Sequence, residues 1–152
     1  MPSKSKSRTY RFSKVIEAPL PFVYDWCTDF REDDAGLTGS ETKTRVLEKT
    51  NTRVIMTDSY MQKGKPAESV TVVSLKPPNA WHLDYAGNEV ESEVGSYKLT
   101  RLGAKKTRLD MEFTMMYGPG RRVPSKEELI DGSSKFWDKL IVHLIDDYSK
   151  KN

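Results

Sequence analysis

VIEAPLPFVYDWCTD, residues 15–29, changes its period halfway along. Leading into it, Thr9 to Glu17 alternates: Tyr10, Phe12 and Lys14 fall on one side, and Arg11, Ser13 and Val15 on the other. That is strand spacing. Pro19 ends the ladder, because proline has no N–H to donate and constrains the residue before it. Pro21 fits a first helical turn, where its missing N–H is not needed. Phe22, Val23, Trp26 and Cys27 then follow at helical spacing. The switch reads as an edge strand that stops and turns into a helix capping one end of a sheet. Asp29 to Ser40, with Gly36 and Gly39, reads as a second short helix and a turn.

Working outward, the period is two from Glu41 almost to Tyr117. The alternation predicts strands at Lys43–Lys49, Arg53–Met61, Glu68–Leu75, Ala80–Ala86, Val90–Arg101 and Thr107–Tyr117. Turn residues separate them: Asn51, Lys63-Gly64-Lys65-Pro66, Pro77-Pro78-Asn79, Gly87-Asn88 and Gly103. Short connections between consecutive strands make an antiparallel meander. Leu109, Met111, Phe113 and Met115 share one face, against Arg108, Asp110, Glu112 and Thr114 on the other. One face is therefore wet, and the other needs a cover. Ser125 and Glu128 form a capping-box pattern. Behind it Leu129, Ser133, Phe136, Trp137, Leu140, Leu144, Ile145 and Tyr148 make a helical stripe that supplies the cover, with a possible break at Gly132.

The 152 residues suit one domain, with 36% hydrophobic and 31% charged side chains. Residues 1–8 read as a flexible basic tail, and 9–150 as the single domain. A formal net charge of +3 is too small and dispersed to point to nucleic acid. The lone cysteine, Cys27, excludes an internal disulfide. With no signal-like apolar segment and no membrane-length run, a cytoplasmic location is expected. Cys27 reads as a buried thiol. His82 and His143 are the only histidines and read as surface residues; no zinc spacing or phosphate loop is present. Neither a metal nor a cofactor is expected.

The order strand, two short helices, six strands, long helix resembles the helix-grip fold of the START/Bet v 1-like (SRPBCC) superfamily. Several stretches carry the resemblance: Val15-Ile16-Glu17-Ala18-Pro19 followed by Phe22-Val23-Tyr24-Asp25-Trp26; Pro77-Pro78 before Trp81; Gly95 and Tyr97; and Thr107-Arg108-Leu109. It covers Thr9 to Ser149 and is closest in kind to the polyketide cyclase/dehydrase-like branch. It implies an α+β fold: a seven-stranded curved antiparallel sheet wrapped around a long C-terminal helix, with two short helices after the first strand.

It also implies a cavity between sheet and helix for a small hydrophobic or amphipathic ligand, such as a lipid, sterol or aromatic polyketide. Two alternatives stand beside this carrier function: a cyclase or aromatase, and a protein–protein module of the chaperone-activating kind. The expected lining is Tyr60, Trp81, Leu83 and Tyr85, then Tyr97, Leu99, Met111, Phe113 and Met115, with Phe136, Trp137 and Leu140 from the helix. Such a list is apolar with a few polar handles, as binding sites are, and as solid cores also are. Tyr60, Tyr85 and Tyr97 could polarise a carbonyl, but no nucleophile–base pair is visible and no catalytic residue is assigned.

One conflict of phase stands out. If Tyr97 and Leu99 point inward, counting back by twos puts Gly95, Glu93, Glu91 and Glu89 on the same face. A buried, unpaired carboxylate is costly or takes up a proton. A bulge at Gly95 would turn the glutamates to solvent and bring Val90 and Val94 inward, and this is the expected arrangement. A straight strand would instead leave the glutamates at a hydrated mouth. Glu93 would then become a polar contact for the ligand, or a general acid.

Overall fold

In the computed structural model, which describes residues 6–30, 42–62, 64–87 and 92–151, the chain opens with strand β1 (Lys6–Ile16) and helix α1 (Leu20–Cys27). Six strands follow: β2 (Lys43–Lys49), β3 (Arg53–Gln62), β4 (Lys65–Lys76), β5 (Ala80–Ala86), β6 (Ser92–Gly103) and β7 (Lys106–Tyr117). Helix α2 (Lys126–Lys151) ends the described chain. The strands form one antiparallel sheet in the order β1-β7-β6-β5-β4-β3-β2. The meander runs in sequence, and β1 closes onto the last strand. The second short helix expected in 29–40 lies almost wholly outside the described residues.

Pro19 caps α1 in an extended conformation and Pro21 sits in its first turn, as the change of period predicts. The buried Thr107 hydroxyl donates to the Ala18 carbonyl at 2.8 Å, pinning the turn between β1 and α1 to β7. Lys6, Ser7 and Arg8 are not tail: they pair with Tyr117, Met116 and Met115. Their side chains are polar and show no apolar period, but the long β7 supplies a partner for each backbone group. The Arg8 guanidinium also donates to the Pro124 carbonyl at 3.1 Å.

The capping box forms. The Glu128 amide donates to Ser125 Oγ at 3.1 Å, and Arg122 braces the Glu128 carboxylate at 2.7 and 2.8 Å. Helix α2 continues through Gly132 without a break. Polar clamps fix it over the β1 side of the sheet. Tyr10 and Ser133 hydroxyls bond at 2.7 Å, and Lys14 Nζ reaches Ser134 Oγ at 2.6 Å and Asp138 at 2.7 Å. At the far end, Trp26 Nε1 donates to Asp147 at 2.8 Å, and the Phe22 and Tyr148 rings lie 5.0 Å apart. Trp137 and Leu144 are the helix's buried residues and join Tyr97, Leu99, Leu109 and Phe113 in the core. Among the described residues, no helix is long and apolar enough to cross a membrane.

Candidate functional site

The register of the sheet sorts its inward face into rungs running across the strands. In the rung nearest α1, Leu99 of β6 lies opposite Leu109 of β7, and Leu109 opposite Lys14 of β1. The next rung is Leu75, Trp81, Tyr97, Met111 and Phe12. A third is Val54, Val73, Leu83, Gly95, Phe113 and Tyr10. Then the character changes. The fourth rung is Met56, Thr71, Tyr85, Glu93, Met115 and Arg8, and beyond it Thr44, Asp58 and Ser69 stand in line. The concave face is thus apolar and aromatic towards α1 and polar at the opposite end.

The aromatic end is tightly stacked. Trp81 and Tyr97 lie parallel at 4.8 Å, and Tyr24 of α1 meets Trp81 edge-on at 5.9 Å. Tyr97 also meets Phe113 edge-on at 5.5 Å and packs against Trp137 at 6.0 Å. Offset and edge-on contacts are the geometries that the ring quadrupole favours. Burial raises the Tyr97 phenol above its ordinary pKa, with Glu93 adding to the effect. Burial alone pushes the Cys27 thiol up to about 12, which removes it as a nucleophile at neutral pH.

Glu93 overturns the expected bulge. Strand β6 pairs without a register shift through Glu93, Gly95, Tyr97 and Leu99; its one irregularity lies between Arg101 and Gly103. Glu93 therefore shares the inward face with Tyr97, while Val94 lies opposite Asp84 and Thr114 on the outer face. Gly95 serves a different purpose. A Cβ there would stand 3.1 Å from the Phe113 ring, so the missing side chain lets that ring lie against β6. Burial raises the Glu93 carboxyl above its ordinary pKa, and Glu93 in turn raises the Tyr10 phenol, behind the burial of that phenol itself. Glu89, Val90 and Glu91 lie outside the described residues.

Tyr85 leads the other half of the polar end. Its hydroxyl lies over Gly87, where an added Cβ would approach to 2.4 Å. Burial raises this phenol, and Ser69, Tyr60 and Asp58 all act on it. Thr44 donates to Asp58 at 2.5 Å. Ser69 is only 2% exposed; its Oγ makes no close hydrogen bond among the described residues and acts on the Tyr85 hydroxyl, holding that phenol's pKa down.

Of the expected lining, Trp81, Tyr97, Leu99, Met111, Phe113 and Trp137 are buried in the core. Tyr60, Leu83, Tyr85, Met115 and Leu140 are half-buried, the first four on the inward face and the last on α2. Phe136 is misplaced in the expectation. It is 48% exposed, because Trp137, one residue on, takes the sheet-facing position and leaves the Phe136 ring on the helix flank. Asp58, Ser69, Thr71 and Tyr10 share this inward face and were not in the expected lining. The available signal was their phase: each lies two residues from an apolar residue that points inward. His82 faces outward as expected, 3.1 Å from Ser96 Oγ and 3.7 Å from Asp84. No group of three or more metal-ligating side chains occurs among the described residues.

Several solved structures share this architecture across nearly the whole chain. A START superfamily protein from Mycobacterium smegmatis superposes with a TM-score of 0.73 at 13% identity, over 91% of this chain and 97% of its own. Ara h 8.0201 gives 0.72 at 8% identity, over 93% and 99%. The Zhui aromatase/cyclase from Streptomyces sp. R1128 gives 0.70 at 14% identity, over 91% and 94%. No family model and no curated protein matches the sequence. The chain has the helix-grip fold of START and Bet v 1-like proteins, as the resemblance implies.

Proposed function

We propose that the chain binds or carries a small, mainly apolar molecule with one polar end, held between the concave face and α2. The observation that carries this is the polarity gradient along the inward rungs. Leu83, Gly95 and Phe113 lie in an apolar rung, and Tyr85 and Glu93 in the polar one next to it. A solid core has no use for a buried hydroxyl that makes no close hydrogen bond, or for an inward carboxylate raised by burial. A ligand with an apolar body and a polar head satisfies both. Neighbours of the same fold include an aromatase/cyclase.

The test is fluorescence titration with the neutral probe N-phenyl-1-naphthylamine. The native chain is expected to bind it saturably. Leu83→Trp is expected to weaken binding at least fivefold while keeping most of the stability, since Leu83 is half-buried and faces Gly95. Equal binding by the variant puts the site elsewhere. No binding of any apolar probe overturns the carrier reading in favour of an interaction module.

A second reading, catalysis, is favoured by Glu93 alone. Burial raises the Glu93 carboxyl towards its protonated form, and a carboxyl in that form can give its proton to a carbonyl oxygen, as a cyclisation or dehydration requires. Turnover of a polyketone that is lost in Glu93→Gln with binding retained would establish it; turnover unchanged in that variant would exclude it.

A further inference from the structure

Resting on the binding reading above, we propose that the stacked pair Trp81 and Tyr97 is a wall that ends the site at its apolar end, so that the site takes a compact molecule and turns away long-chain lipids. The step in burial along β5 points to it. Trp81 is 3% exposed, whereas Leu83, the next residue on the same inward face, is half-buried, and so is Tyr85 after it. Behind the wall, Leu99 and Leu109 of the rung nearest α1 are buried completely. Trp81 therefore separates a half-open stretch from filled core. Inward positions on a strand recur every two residues, and the two steps from Trp81 to Tyr85 span about 13 Å.

Four elements build the wall. Trp81 of β5 and Tyr97 of β6 are directly opposite in register and lie parallel at 4.8 Å. Tyr24 of α1 meets Trp81 edge-on at 5.9 Å, and Trp137 of α2 packs against Tyr97 at 6.0 Å. Both helices thus brace the pair from above the sheet. To let a chain past, Trp81 would have to give up its stacked and its edge-on partner together, and each such pair is favoured beyond the area it buries. Leu83 has no such brace. It faces Gly95 across the strands, where no side chain opposes it. The apolar body of the ligand accordingly lies over Leu83 and stops at the Trp81 indole.

Primary alcohols from butanol to dodecanol, competed against N-phenyl-1-naphthylamine on the full chain, measure the length of the site with neutral ligands. Each added methylene is expected to tighten binding about fourfold until the chain meets the wall. The gain is expected to stop near about ten carbons, the length of the two strand steps. Trp81→Leu is expected to carry the gain on to dodecanol, which then binds at least about threefold more tightly than to the native chain. Leu109→Ala opens space behind the wall and is expected to leave the series as it is in the native chain. A native series that rises unbroken to dodecanol overturns the proposal and leaves the binding reading standing. So does a break that Trp81→Leu does not move, or one that both variants move alike, which is general loosening. A bound probe that no alcohol displaces also overturns the proposal, whereas no probe binding at all removes the reading beneath it. If Trp81→Leu does not fold, Tyr24→Leu, which withdraws the brace from the α1 side, takes its place.

Discussion

Gly95 and Glu93 sit two residues apart on one face of β6, and each holds a position that its neighbours across the sheet determine. Gly95 leaves room for the Phe113 ring, which is itself fixed between Tyr10 at 5.2 Å and Tyr97 at 5.5 Å. Alanine at position 95 lowers the backbone entropy lost on folding, but the ring at 3.1 Å would have to shift against Tyr10 and Tyr97. Gly95→Ala is expected to destabilise by about 1 kcal/mol in urea titration; a stabilised variant would mean that the ring moves freely. For Glu93 the sign follows from its raised pKa. The folded state holds the proton more tightly than the unfolded chain does. Stability therefore falls as pH rises from the ordinary carboxylate range through the folded pKa, and the full penalty stands above it. Glu93→Gln is accordingly expected to raise the urea midpoint at pH 7, with the gain vanishing towards pH 4. A loss of stability at pH 7 would show that the carboxylate has a partner in the free protein.

At the scale of elements, most of the fold was legible before the structure, because it is written in local period. Alternation marked the six later strands, and Pro19 with Pro21 marked the change from β1 to α1. Ser125 and Glu128 marked the start of α2. What was not legible depends on distant partners. A glycine in a strand signals either a bulge or a close approach, and only Phe113, eighteen positions on, decides between them. Lys6 to Arg8 join β1 through the length of β7, not through their own side chains. The polar end of the concave face was hidden for a related reason. Asp58, Ser69 and Thr71 are polar at inward phase, and one strand read alone gives no reason to group them. Helix α2 offers a clean test of local propensity. Gly132 is exposed within an unbroken helix, and nothing lies within 4 Å of where a Cβ would stand. Gly132→Ala is expected to stabilise by about 0.5–1 kcal/mol; no gain on thermal or urea unfolding would mean that the helix bends or frays there in solution.

For the molecule as a whole, the sheet and α2 divide the labour. The β1, β7 and β6 side packs against the helix as core, with Phe113 and Trp137 both deeply buried. Truncating either to alanine is expected to cost about 3–5 kcal/mol, and losses below about 1 kcal/mol for both in urea titration would contradict this division. The remaining inward face keeps Leu83, Tyr85 and Met115 half-exposed next to the polar rung, and there a ligand is expected to lie. The outer face has its own open groove of about 340 Å³, lined by Arg11, Ser13, Ser96, Lys98, Asp110 and Glu112 among others, a charged surface unsuited to an apolar body. Strand alternation makes the two faces separable in one experiment. A ¹³C and ¹⁵N NMR titration with 1-naphthylmethanol follows side chains on both sides of β5, β6 and β7 at once. The account predicts saturable shifts at Leu83, Tyr85, Glu93 and Met115, with His82, Asp84, Ser96 and Glu112 nearly still. Shifts concentrated on the second set, or no saturable shift in either, would contradict it.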